Sequence, residues 1–430
     1  MSTFNLILYS MAWLVTFIHF FKKKRMIDAG NLIILMFFIY SIFSIILYND
    51  EFRGASSFGG KPIMLFPLVY LYLMIMLTMK PIFDYDQRKV TSIKQPNQLY
   101  LDVIVVLFIL SSLLKLPGDI VQVRYGLASI FSGASGGLDV YHEIMADSLN
   151  NLGDGSISSL PSIIANLLRN IVIVIIFYYI ITQKRRTQVI LAIVFVLMDV
   201  LLSLAKAQRG PAVSVLMTLI VTYCSFIYYM PQSLKKKIRI YSIIIVALFT
   251  VPFLAISHSR FDRSDGGMRS SFNYYIGQEN LNFAIYAFDN NGIRYGDRVF
   301  PVFKRMLGFE NVPKNFWERR EKYPQLKIND EVFIGYVGDF VLDFGPIVSV
   351  FLFILFTAIL SSAIKIRSGT VYFHQLIAFN MLSYVGMVGG LKLYPFADGG
   401  ALLLITYILV YLLFRLDSNK NTYIITSENV

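Results

Sequence analysis

Cys224 is the only cysteine in the chain, so no intrachain disulfide can form. The four histidines, His19, His142, His258 and His374, are scattered, and no Cys/His spacing suggests a metal site. Charge is scarce as well. Asp, Glu, Lys and Arg make up 15% of the residues, against about a quarter in a soluble domain. Regular apolar/polar alternation is missing, which argues against a membrane β-barrel. The first apolar run lacks a small-residue cleavage site, so it reads as a retained helix and not as a removed signal peptide. No internal repeat, low-complexity tract or interdomain linker is visible.

What is present is apolar length. The chain is 56% hydrophobic over 430 residues, with mean hydropathy +0.60, and runs long enough to cross a bilayer recur throughout. The pattern predicts an all-α, polytopic membrane protein with about eleven spans, at roughly 3–20, 30–48, 63–79, 99–115, 161–182, 188–206, 211–230, 240–256, 346–364, 371–388 and 399–415. Basic clusters fall in alternate gaps: Lys22 to Arg25, Lys80 to Lys94, Lys184 to Arg186, Lys235 to Arg239, and Lys365 with Arg367. The positive-inside rule makes those gaps cytoplasmic, the N-terminus external and the C-terminal tail internal. The formal charge of +12 is therefore assigned to orientation and not to nucleic acid.

Residues 1–430 read as a single domain with two long outer connections, 116–160 and 257–345. Connections of that length are usually functional or disordered. In the second, Leu281, Phe283, Ala284 and Ala287 recur at helical spacing, so short helices are expected there.

Five places carry candidate chemistry. "AKAQRGPAVSVLM" puts Lys206 and Arg209 on neighbouring positions at the end of one span. Gly210 is expected to permit a close or left-handed backbone, and Pro211 suits the first turn of the next helix. Arg209 at that positive helix end either makes an anion site or snorkels to lipid headgroups. "SHSRFDRSDGGMRSS" gathers His258, Arg260, Arg263 and Arg269. Its guanidinium forks suit phosphate oxygens, or they pair with Asp262, Asp265 or headgroups.

Arg169 and Asp199 sit at matching depths inside their spans, and such residues normally pair, so a structural ion pair is expected. "DEVFIGYVGDFVLDFGPIVSVF" breaks an apolar run with Gly335, Gly338 and Gly345. It reads as a short re-entrant or interfacial helix, with Asp339 and Asp343 on one face as a base or as partners for arginines. "GGLKLYPFADGG" adds Lys392 and Tyr394 to the outer surface.

This layout resembles the oligosaccharide repeat-unit polymerases of O-antigen, capsule and enterobacterial common antigen synthesis, the Wzy family. The sharpest stretches are "AKAQRGPAVSVLM", "GQENLNFAIYAFDNNGI" and "FIGYVGDFVLDFGPI". The likeness covers most of the chain as a layout. It departs at Gln208, where many members carry another residue before the arginine.

The resemblance implies a GT-C-like glycosyltransferase of the cytoplasmic membrane that uses neither metal, cofactor nor nucleotide sugar. It would move a glycan from undecaprenyl diphosphate onto a new lipid-linked repeat unit at the outer face. A separate chain-length-regulating co-polymerase is the partner it implies. Catalytic candidates are Arg209, Arg260 and Arg263 for the leaving diphosphate, with Glu279, Asp339 and His258 as possible bases. Lys206, Gly210, Arg269, Lys392 and Tyr394 are substrate-binding candidates. An O-antigen ligase and a lipid-linked oligosaccharide flippase are the alternatives. The flippase is disfavoured by the lack of repeats and by charge concentrated outside.

Overall fold

The computed structural model describes residues 1–25, 27–58, 60–132, 140, 159–261, 267–366, 368–391, 393–417 and 424–426. It is 77% helical. In chain order the main elements are α1 (Ser2–Lys24), α2 (Ala29–Tyr48), α3 (Leu65–Thr78), α4 (Lys80–Asp84), β1 (Ser92–Lys94), α5 (Gln98–Ser132), α6 (Leu160–Thr182), α7 (Arg186–Ala205) and α8 (Gly210–Phe226). There follow α9 (Gln232–Phe261), α10 (Gly267–Tyr286), α11 (Pro301–Met306), α12 (Phe316–Lys322), α13 (Gly335–Ile364), β2 (Thr370–Val371), α14 (Phe373–Val388), α15 (Ala401–Asp417) and β3 (Ile424–Thr426).

Among the described residues, nine helices are long and apolar enough to cross a membrane: α1, α2, α5, α6, α7, α8, α9, α13 and α15. The chain is a multi-pass membrane protein. Two of the expected spans are shorter. Helix α3 has 14 residues and α14 has 16, which reach about 21 and 24 Å at 1.5 Å per residue, short of a hydrocarbon core of about 30 Å.

The sequence suggested one domain, whereas the contacts group the chain into two compact units. One comprises Met1–Asp86, Arg269–Arg367 and Ala378–Leu409; the other comprises Gln87–Met268, Ser368–Ile377 and Val410–Val430. Each is assembled from separated segments, which a reading along the chain does not reveal.

In the second unit, α5 does not stop where the first outer connection was expected to begin. It continues through Pro117 to Ser132. Ile130 near its end packs with Leu204, Ala207 and Ile256, and this apolar contact holds the extra turns. A Cβ on Gly126 would lie 2.1 Å from the Ala205 carbonyl oxygen, so a glycine is what lets α5 approach the end of α7. Strand β1 pairs in parallel with β2 and antiparallel with β3.

In the first unit, the second outer connection holds a 20-residue helix, α10, and not only short ones. All of its residues from Gly277 to Ile285 are buried. The expected apolar positions Leu281, Phe283, Ala284 and Ala287 are buried, but so is its polar side. Asn280 donates to Ser44 Oγ and accepts from the Tyr9 hydroxyl, at 2.9 and 3.2 Å. Gln278 Oε1 accepts from Phe333 N and Asn282 donates to Phe333 O. Those bonds replace water, so burial of the polar face is tolerated. A Cβ on Gly277 would meet Phe43 O at 2.4 Å, which places the backbones of α10 and α2 in direct contact.

Helix α13 breaks at Gly345, whose φ is 78° and ψ 164°. Pro346 follows. A helical proline clashes with the carbonyl four residues earlier and cannot donate to it. That carbonyl, on Leu342, instead accepts from Arg294 N at 3.0 Å. Residues before the break are buried, whereas Ile347 and Phe351 beyond it are exposed, as for a helix facing lipid.

Candidate functional site

In the second unit, the turn between α7 and α8 presents two cations. Lys206 caps the C-terminus of α7. Arg209 is the residue preceding α8, with Pro211 in the first turn. The left-handed residue is Ala207, with φ 51°, and not Gly210, which has no positive φ and open space around it. The helix closes with Ala207 N bonding to Leu204 O and Gln208 N to Ser203 O, at 2.8 and 2.9 Å. This closure demands a left-handed conformation one residue past the C-cap, which is Ala207. Arg209 Nη1 donates to Ser257 Oγ at 3.1 Å, and its guanidinium lies 5.8 Å from the Phe253 ring centre.

Charges of both signs gather beside this turn. Asp199 lies 2.5 Å from Lys115 and 3.7 Å from Arg169. Lys115 also pairs with Asp119 at 3.2 Å. The Arg169–Asp199 contact expected from sequence is thus present, but it is the longer of two, and Lys115 was not foreseen. Burial presses the Lys206 ammonium below its ordinary value, and Asp119 partly offsets this. Among the described residues of this group, Lys115, Arg169 and Lys206 outnumber Asp119 and Asp199. A surplus cation that is partly dehydrated gains from an arriving anion, and the start of a 17-residue helix adds a partial positive charge.

In the first unit, the arginines that matter structurally are ones the sequence reading passed over. Arg294, Arg298 and Arg319 are each at most 2% exposed. Arg294 bonds to Asp343 Oδ1 through Nε at 2.7 Å and to Asp330 through Nη1. Arg298 lies 2.8 Å from Asp339 Oδ1 and 3.1 Å from Asp330 Oδ1. Its Nε is not aligned for a hydrogen bond to Asp339. Arg319 joins Asp330 Oδ2 at 2.6 Å and Asp398 Oδ1 at 2.5 Å.

Burial raises the Asp330 carboxyl, but the guanidiniums of Arg294, Arg298 and Arg319 outweigh it and hold the group well below the usual range. Nearby, Asp297 is held by Lys304, Lys322 and Tyr323.

Asp339 and Asp343 therefore act as partners for arginines. Asp343 Oδ2 also accepts from Arg298 N and Val299 N at 3.1 and 2.7 Å. Asp339 Oδ2 accepts from Tyr394 N at 3.0 Å, which brings together two residues singled out from sequence. Two signals were legible. Arg294 and Arg298 are four apart, as are Asp339 and Asp343.

Glu279 is different. It is 1% exposed, and its Oε2 has no hydrogen-bond partner among the described residues. Burial, and then the charge of Asp339, push its carboxyl well above the ordinary range. A Cβ on Gly335 would lie 1.9 Å from Oε1, and one on Gly390 would lie 2.5 Å from Oε2. The two glycines make the space for this carboxyl. In this conformation it is an enclosed carboxyl whose surroundings favour the protonated form, and not a base open to solvent.

Arg269 is exposed in the first turn of α10. His258 and Arg260 fall in the last turn of α9, with side chains outside the described residues. Arg263 and Lys392 lie outside the described residues altogether. Among those described, no cluster of His, Cys, Asp and Glu could hold a metal ion. No family model, curated protein or solved structure matches the chain.

Proposed function

We propose that the protein is a glycosyltransferase that polymerises undecaprenyl-diphosphate-linked repeat units. The reading places the nine long helices, together with the shorter apolar helices α3 and α14, in the cytoplasmic membrane, with the N-terminus outside and the tail inside. The growing glycan leaves its lipid carrier and joins the non-reducing end of a new unit. A sugar hydroxyl attacks the anomeric carbon, the bond from that carbon to the diphosphate oxygen breaks, the diphosphate departs with the electron pair, and the hydroxyl proton passes to water.

The observation that carries this reading is the surplus, among the described residues, of Lys115, Arg169 and Lys206 over Asp119 and Asp199, next to the turn that carries both Lys206 and Arg209. Negative charge grows on the leaving diphosphate, and fixed cations that meet it lower the barrier. Arg209 supplies a two-pronged contact at the start of α8, and Lys206 a point charge. The arginines Arg294, Arg298 and Arg319 are excluded from this role, because carboxylates already engage them.

The test uses the purified protein with lipid-linked repeat units as sole substrate. A ladder of glycan lengths is expected. Transfer only to a lipid A core acceptor would assign the chain to the ligases instead, and no product with either acceptor would overturn the transferase reading.

A further inference from the structure

Helix α11 ends in a tight knuckle that holds apolar side chains outward. Gly308 has φ 82° and open space around it. Gly308 N bonds to Arg305 O and Phe309 N to Lys304 O, both at 3.0 Å. Arg305 Nη1 donates to Pro313 O at 3.0 Å, and Lys304 is tied to Asp297. The backbone is satisfied and the bend is fixed. Yet Met306, Leu307 and Phe309 are 72%, 77% and 58% exposed. Single exposed apolar residues are ordinary, but a contiguous group marks a contact surface.

The knuckle's position indicates what covers it. Phe300, the residue before α11, meets the Phe340 ring edge-to-face and the Phe344 ring at a tilt, with centroids 5.8 and 5.9 Å away. Phe344 immediately precedes the break in α13. Beyond that break, Ile347, Phe351 and Ile354 form the exposed apolar stripe of a membrane-length helix. The knuckle therefore hangs beside the point where α13 enters lipid. Of the exposed charges around it, Arg305, Lys314, Arg320 and Lys322 stand against Glu310, Glu318 and Glu321, and Lys322 is already paired with the buried Asp297, so the surface is close to neutral. Attraction to anionic headgroups is not what would hold it, and apolar insertion is.

We propose that Met306, Leu307 and Phe309 insert into the lipid bilayer at the interfacial zone beside α13, anchoring the Arg294–Asp330 network above the membrane surface. Apolar and aromatic side chains on an amphipathic segment lodge at that level. This does not depend on the transferase reading.

Trp13 and Trp317 are the only tryptophans, so the proposal is testable by fluorescence on the full chain in nanodiscs. The variant Leu307→Trp is made in a Trp13→Phe, Trp317→Phe background. With acyl-chain-brominated phosphatidylcholine, emission should fall about two-fold or more relative to plain lipid, while aqueous acrylamide acts weakly. Phe309→Trp, which exchanges one exposed ring for another, should behave alike and guards against a folding defect at 307. Strong acrylamide quenching without bromolipid quenching would mean open water and would overturn the proposal. Protection from both quenchers would mean a protein partner or second copy, and would equally overturn it.

Discussion

Arg294 grips the broken part of α13 twice: its Nε meets Asp343 Oδ1 at 2.7 Å, and its backbone N–H takes the Leu342 carbonyl. The proline that breaks the helix thus frees an acceptor for the arginine that locks it. Removing one partner of a buried ion pair leaves the other charge uncompensated, which costs about 3–5 kcal/mol. Arg294→Ala and Asp343→Ala should each destabilise by that order. The double variant should lose less than the sum. Denaturation of the four proteins in detergent checks this, and strict additivity would remove the coupling.

Arg209 offers a sharper functional test. Arg209→Ala should abolish or strongly shorten the polymer, and Arg209→Lys should also impair it, because lysine lacks the planar fork. Chain length is read on gels at matched protein levels. Wild-type ladders from both variants would end the proposed role.

Glu279 and Asp330 pull stability in opposite directions with pH. The folded carboxyl of Glu279 lies above its ordinary 4.5. Below that value both states keep the proton and the contribution is complete. As pH rises, the unfolded chain ionises first and stability falls, until the folded group ionises too. Asp330 lies below its ordinary 3.8, so its contribution is present above that pH and is lost as acid is added. Melting curves from about pH 5 upward should therefore slope downward in the wild type and flatten in Glu279→Gln. Parallel slopes in the two proteins would contradict the upward shift of the Glu279 carboxyl.

Gly277 carries a packing prediction. Alanine there would press a methyl group against Phe43 O, 2.4 Å away. Overpacking of this kind costs about 1–3 kcal/mol. Gly210→Ala is the natural comparison, since its Cβ meets nothing within 4 Å, and it should be nearly silent. Equal thermal shifts for the two would show that the α10–α2 contact is slack.

Parts of this architecture were legible. Of the eleven apolar runs read as spans, nine are long helices among the described residues, and Gly345, one of the three glycines read as interrupting the run, is where α13 breaks. The four-residue spacing of Asp339 and Asp343 pointed to one shared face, as a base or as partners for arginines, and the structure shows the second. The partners were not legible. Nothing in the sequence around Arg298 points to Asp339, because the two meet only once the chain has folded. The tail of α5 looked like a connection because Ile130 finds Leu204 and Ile256 only in space.

By itself the sequence determined that this chain is a helical membrane protein. An apolar run in lipid has to satisfy its backbone within its own helix, so local pattern suffices. The tertiary structure alone decided which charges meet. Asp330 collects Arg294, Arg298 and Arg319, and Arg319 reaches Asp398, 79 residues onward. In the same unit, Glu279 Oε2 is left without a hydrogen-bond partner among the described residues. Burial makes charge pairing strong, but only the folded chain determines which carboxylate is within reach.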